Sequence, residues 1–232
     1  MTGRADGCGV LVVAKAPVPG LAKTRIGAVV GAELAAEVAA AALLDTLDAV
    51  EEWAPSPRRL LALTGSLEAA ASGPEIAHRL AAWTVVTQHG ATFADRLVSA
   101  HHAAAARWTP DCPVVQIGMD TPSITGFDLD AILAPLRDGD ADVALGPAVD
   151  GGWWGIATRR GGYADQLADV PMSRPDTAAR TVSALEAVGA RVRLVHELRD
   201  IDEWADAVAV SAEAPQLRLA RVLLRLAPQM AK

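Results

Sequence analysis

A chain of 232 residues, 51% of them apolar, is long enough to bury one sizeable core. Its formal net charge of -7 argues against a general nucleic-acid or anionic-membrane binder, which needs an excess of positive charge on a face, and its two cysteines, Cys8 and Cys112, are too few for a disulfide framework and have no metal-ligand spacing. No stretch reaches the apolar length of a membrane span and Met1 to Gly9 lacks the apolar centre of a signal peptide, so the chain reads as a cytoplasmic protein of one domain, residues 1–232.

The first predicted element is a buried strand on Val10, Leu11, Val12 and Val13. It runs through Ala14 into a basic loop holding Lys15, Pro17, Pro19, Gly20, Lys23, Thr24 and Arg25. The chain has three lysines, Lys15, Lys23 and Lys232, and two of them stand in this loop. A lysine ammonium is compact and flexible enough to follow phosphate oxygens, so Lys15, Lys23 and Arg25 together suit a polyphosphate clamp. Charge alone leaves a solvated basic turn equally open. Alanine-rich spacing then predicts one long helix over Gly27 to Trp53, stopped by Pro55 and Pro57. Arg59 to Thr64 reads as a short buried strand, Gly65 to Glu75 as a variable region with at most a turn or two of helix, and Trp83 to Gln88 as a third strand. Thr92 to Arg107 is a helix with an N-cap at Thr92.

Val114 to Ile117 predicts a central strand that delivers Gly118, Asp120, Thr121 and Pro122 at its C-terminal end, where open α/β sheets bind ligands. A carboxylate there can hold Mg²⁺ or Mn²⁺ through one or two oxygens; a helix cap or Asx-turn suits Asp120 as well. After a helix near Phe127 to Leu136, Ala141 to Thr158 reads as two strands flanking an Asp150-Gly151-Gly152 corner, whose glycines admit close approach of a ligand or a tight turn. Helical pattern resumes at Gly161, breaks at Met172 to Thr177, and continues over Ala178 to Val188 with a stop at Gly189. Arg191 to His196 is a strand, Glu203 to Val208 a short helix, and Pro215 onward an amphipathic helix for packing or dimerisation. No Ser/His/Asp or Cys/His arrangement is evident among the five histidines.

Lys15-Ala16-Pro17-Val18-Pro19-Gly20 followed by Lys23-Thr24-Arg25 resembles the opening signature of the DUF2064 group, also described as radical-SAM/selenodomain-associated transferases. It is more distantly similar to the loop of the phospholactate and phosphoenolpyruvate guanylyltransferases. Gly118-x-Asp120-x-Pro122 resembles the group's metal-binding motif, and Gly146-Pro147-Ala148-x-Asp150-Gly151-Gly152 its next motif, with Trp153 and Trp154 standing where two tyrosines are usual. The resemblance implies an α/β, single-domain, Rossmann-like GT-A fold (that of the nucleotide-diphospho-sugar transferases), with a mostly parallel mixed sheet and helices on both faces. It further implies a nucleotidyltransferase that passes NMP from an NTP to a small phosphorylated or hydroxyl acceptor, as a monomer or homodimer. Lys15, Lys23, Arg25 and Asp120 would be catalytic, and Ala14, Gly20, Gln88, Gly90 and Gly118 would lie along the nucleotide. Pro147, Asp150, Gly151, Gly152 and Ser173 would face the acceptor, although Ser173 and Thr177 suit helix capping too. Asp120, joined by Asp202 from the Asp200-Ile201-Asp202 stretch, would hold Mg²⁺ or Mn²⁺; for Asp202 a helix cap is the alternative. Many GT-A glycosyltransferases use Asp-x-Asp, whereas Gly118 stands two before Asp120, so nucleotidyl transfer is favoured over glycosyl transfer from an NDP-sugar. A non-catalytic nucleotide-binding protein is the third reading.

Overall fold

A computed structural model of the chain describes residues 7–109 and 111–230; Lys232 and most of the N-terminal stretch read for a leader lie outside the described residues. Seven strands form one sheet in the order β3-β2-β1-β4-β6-β5-β7. They are β1 (Gly9–Lys15), β2 (Arg59–Thr64), β3 (Thr84–Thr87), β4 (Val114–Gly118), β5 (Val143–Pro147), β6 (Trp153–Thr158) and β7 (Val192–Leu194). β6 is antiparallel to both its neighbours and the other pairs are parallel, so the sheet is mixed and mostly parallel.

β1 lies at the centre because it is apolar on both sides. Val10, Val12 and Ala14 enter one core with α2 (Ala32–Trp53) and α5 (Gly126–Arg137). Leu11 and Val13 enter the other with Leu97, Ala100 and Ala104 of α4 (Phe93–Arg107). Helices therefore cover both faces, as a parallel sheet requires. The alanine content of α2 has a packing cause. This helix is buried on two sides, once against the sheet and once against α7 (Trp204–Glu213) and α8 (Arg218–Met230), where Ala35, Val38 and Ala42 meet Val210, Leu219 and Leu223. Small side chains let three layers approach closely. Within this layer the buried Asp45 of α2 accepts hydrogen bonds from the main-chain N–H groups of Arg218 and Leu219, at 3.0 Å each, and so caps the start of α8. The apolar stripe of α8 is thus a packing surface against its own chain.

The strand predicted over Arg191 to His196 shortens to Val192–Leu194, and two other predicted boundaries change further. The helix expected over Gly27 to Trp53 is two helices, α1 (Thr24–Val30) and α2, because Gly31 turns to φ 90°, ψ 159° and breaks the ladder. The region expected to be variable up to Glu75 contains the start of α3 (Gly73–Leu80), which buries Ile76 and Leu80; Pro74 in its first turn suits a helix start there. Among the described residues no helix is long and apolar enough to cross a membrane.

The order of the parallel strands sets the site. β1 leads outward to β2 and β3 on one side, and the chain then returns to place β4 on the other. The C-terminal ends of β1 and β4 flank this reversal, where the loops splay apart and leave a crevice.

Candidate active site

A cleft of about 730 Å³ opens over those two strand ends. Parallel pairing sets Val13 against Gly118, and Met119 N–H donates to the Val13 carbonyl at 3.2 Å, so loops a hundred residues apart leave the sheet side by side. β1 supplies Ala14 and Lys15, Lys23 comes from the loop into α1 and Arg25 from its first turn, and Gly118 ends β4 with Asp120 in the loop just after it. From the far side come Asp150 and Gly152, Ser173 of the loop ahead of α6 (Thr177–Ala187), and Asp200 and Asp202.

The centre of the cleft is an ion cluster. Lys23 Nζ lies 2.6 Å from Asp120 Oδ1 and 3.1 Å from Asp202 Oδ1, and Arg25 Nη1 lies 3.4 Å from Asp202 Oδ2. Lys23 takes a left-handed backbone, φ 47° and ψ 50°, at the residue preceding α1. That conformation is unfavourable for a residue with a Cβ, and here it turns the side chain inward until only 9% of it is exposed. Burial works against the ammonium charge, but Asp120 and Asp202 outweigh it and hold the pKa above the usual lysine value.

Neither aspartate is a helix cap. Thr125 caps α5, in reciprocal exchange with Asp128, and Glu203 caps α7, in exchange with Asp206. Asp206 also accepts from the Asp202 N–H at 3.3 Å, and the Asp120 carbonyl accepts from Ile201 N–H at 2.8 Å. The main chain therefore joins the end of β4 to the 200–202 loop while both carboxylates stay free to meet cations.

Asp200 is a site residue that the sequence motifs do not single out. One carboxylate oxygen from each of Asp150, Asp200 and Asp202 lies within 4.8 Å of the others. The available signal is alternation: Ile201 is fully buried, which sends both flanking aspartates to the opposite side. Three hard oxygen donors beside Asp120 fit Mg²⁺ or Mn²⁺, and the ammonium between Asp120 and Asp202 shows that the geometry accepts a cation. Burial first, then the charges of Asp150 and Asp202, push the Asp200 carboxyl up to about 6 from its ordinary value of 3.8. The folded chain therefore holds that proton more tightly than the unfolded chain, and stability falls as pH rises between these two values. Asp200→Asn is expected to stabilise the ligand-free protein by about 1–2 kcal/mol near pH 7.5 and to have little effect near pH 4, where the wild-type group is largely protonated. Thermal melts at the two pH values check this.

The remaining expected residues divide. Gln88 lines the cleft, but its amide N–H groups donate to the carbonyls of Ala14 and Ala62, at 2.8 Å each, leaving only the oxygen for a ligand. Gly118 lines the cleft, and a Cβ added there would meet only Asp120 N, at an ordinary contact distance of 3.7 Å. Gly20, Gly90, Pro147 and Gly151 do not line the cleft. Gly90, at φ 141°, packs under the first turn of α4, where an added Cβ would lie 2.8 Å from Arg96 N; this close approach brings Phe93 and Arg96 to the rim. The Pro147 carbonyl accepts from Leu198 N–H at 3.2 Å, and Gly151 stitches the β5–β6 corner to α6 through its carbonyl and Ala178 N–H at 2.9 Å. Thr177 spends its hydroxyl on the Pro171 carbonyl and the Arg174 N–H, while Ser173, at φ 57°, lines the cleft. Both tryptophans border the cleft, and Trp154 is also part of the core, its Nε1 donating to the His196 carbonyl at 3.0 Å.

A family model described as "Uncharacterized protein conserved in bacteria (DUF2064)" matches residues 46–174. No curated protein matches the chain. Among solved structures, a Desulfovibrio desulfuricans protein assigned as a nucleotide-diphospho-sugar transferase superposes with a TM-score of 0.79 at 22% identity, over 97% of each chain. The 2-C-methyl-D-erythritol 4-phosphate cytidylyltransferase of Thermus thermophilus gives 0.54 at 18% identity, over 90% of this chain and 99% of that one. A Mycobacterium tuberculosis protein solved in complex with manganese gives 0.50 at 16%, over 88% and 96%. At these identities the likeness is one of fold, and the fold is that of the nucleotide-diphospho-sugar transferases.

Proposed function

The chain belongs to the DUF2064 family, and we propose that it is a divalent-metal-dependent nucleotidyltransferase passing NMP from an NTP to a small phosphorylated or hydroxyl acceptor. One observation carries this reading: a basic arm of Lys15, Lys23 and Arg25 meets the carboxylates of Asp120 and Asp202 in one cleft at the β1/β4 reversal. Phosphoryl chemistry needs mainly positioning and charge neutralisation, which such a pairing supplies. Lys15, Lys23 and Arg25 would take the β- and γ-phosphate oxygens and stabilise the departing pyrophosphate. Asp120 and Asp202, with Asp150 and Asp200 beside them, would hold Mg²⁺ or Mn²⁺, which when bound polarises the α-phosphate. The acceptor would approach from Asp150, Gly152 and Ser173. No histidine or cysteine occurs among the described lining residues, which favours direct in-line attack by the acceptor over a covalent relay through either. The cytidylyltransferase fold and the manganese complex among the similar structures agree with this reading.

Thermal stability against a panel of NTPs, NDPs and NDP-sugars, with and without Mg²⁺ or Mn²⁺, tests it. A ligand at about a hundred times its dissociation constant adds roughly 2.7 kcal/mol. The expected result is a metal-dependent stabilisation by one triphosphate, which also identifies the base. A larger effect from an NDP-sugar would move the assignment to glycosyl transfer, and no effect from any ligand would end the catalytic reading.

A further inference from the structure

The ammonium of Lys23 is bound to the carboxylates that a divalent ion would use. Its Nζ sits 2.6 Å from Asp120 Oδ1 and 3.1 Å from Asp202 Oδ1, and Arg25 takes the second oxygen of Asp202 at 3.4 Å. An ammonium has three donors, and here two of them are engaged on carboxylates in a nearly solvent-free position. The left-handed backbone at Lys23 holds the side chain in this direction, and the two aspartates keep it charged. A phosphate and these carboxylates therefore compete for one cation. A divalent ion and this ammonium likewise compete for one pair of carboxylates, since like charges at such range repel.

We propose that Lys23 is an internal surrogate cation for the carboxylate seat, so that divalent metal and nucleoside triphosphate enter this cleft as an interdependent pair. The inference rests on the nucleotidyltransferase reading above. With no triphosphate present, Lys23 neutralises Asp120 and Asp202 and opposes metal binding. The β- and γ-oxygens of a triphosphate draw the ammonium away and leave the carboxylates open. By reciprocity, metal on Asp120 and Asp202 releases Lys23 toward the phosphates, so each ligand strengthens the other by the same factor. The physical consequence is a site that holds a Lewis acid less tightly when there is no nucleotide to act on.

Lys15 provides the control. It lines the same cleft and carries the same charge, yet it is exposed and forms no ion pair among the described residues. The test is titration of the full chain with Mn²⁺ alone, without nucleotide, reading free Mn²⁺ by electron paramagnetic resonance for wild type, Lys23→Met and Lys15→Met. Lys23→Met is expected to bind Mn²⁺ about tenfold more tightly than wild type, within the usual range of coupling between sites, and Lys15→Met to stay close to wild type. Equal affinity in wild type and Lys23→Met overturns the surrogate role and leaves the metal reading intact. Equal tightening by both variants also overturns it, because the effect would then be the general field of the cleft. No Mn²⁺ uptake by any of the three removes the carboxylate seat, and the proposal and the metal reading fall together. Lys23→Gln, which keeps a hydrogen-bonding head between the two carboxylates, carries the same comparison if Lys23→Met does not fold.

Discussion

Asp120→Asn is expected to lower turnover of the nucleotide identified by thermal shift by about 10²- to 10³-fold, the equivalent of the several kcal/mol that a metal's charge contributes to a transition state. Asparagine keeps the shape and one acceptor oxygen but loses the charge that would hold the ion. Folding should change only modestly, because Lys23, 9% exposed, keeps Asp202 at 3.1 Å when Asp120 loses its charge, and the Asp120 side chain is itself 44% exposed. The position's structural duty is carried by its main-chain carbonyl, which accepts from Ile201 N–H whatever the side chain. Steady-state kcat and KM measured beside a thermal melt separate the two roles. Unchanged turnover would remove Asp120 from the metal, and a marked fall in Tm would show that the carboxylate is structural.

The second large effect concerns stability. Gly151 sits at φ 87°, and a Cβ added there would lie 2.7 Å from Pro175 Cα and closer still to the Pro175 carbonyl. The obstacle is backbone that is itself tied down, because Gly151 O accepts from Ala178 N–H at 2.9 Å. Gly151→Ala must therefore carry both the left-handed penalty and a clash that no rotamer can relieve, about 3 kcal/mol together, or roughly 6–12 °C in Tm for a chain of this size. Gly31 is the matched comparison: its φ is 90° but a Cβ there meets nothing within 4 Å, so Gly31→Ala should cost only the backbone part, about 1–2 kcal/mol. Urea unfolding of the two variants gives the difference directly. Equal losses would show that the 173–178 loop yields to the added methyl group and is not locked to the corner before β6.

The apolar runs at Val10 to Val13 and Val114 to Ile117 were legible as buried strands because they are apolar on both faces, and that composition belongs to central parallel strands. The basic loop was legible from the scarcity of lysine and from the motif it shares with a family, and Lys15, Lys23 and Arg25 all line the cleft. Less legible were the break at Gly31, whose neighbours all favour helix, and α3, whose Ser/Gly/Pro-rich lead-in resembles a loop. Asp200 escaped because its one local signal, alternation about Ile201, does not say what it faces. Its raised pKa, its distance to Asp150 and its place in the cleft arise from the β5–β6 corner folding against the 200–202 loop.

By itself, the sequence determined the fold class, the edge of the sheet where the cleft opens and the residue types gathered there, because hydrophobic period, turn residues and local motifs are properties of neighbouring positions. The tertiary structure alone decided how those residues are shared. Lys23 bridges two aspartates 97 and 179 positions away, Gln88 spends its amide on the main chain of two strands, and Gly151 packs against the Pro175 main chain. Each of these depends on which distant groups compete for the same donor or the same space, and that competition is settled only when the chain is folded.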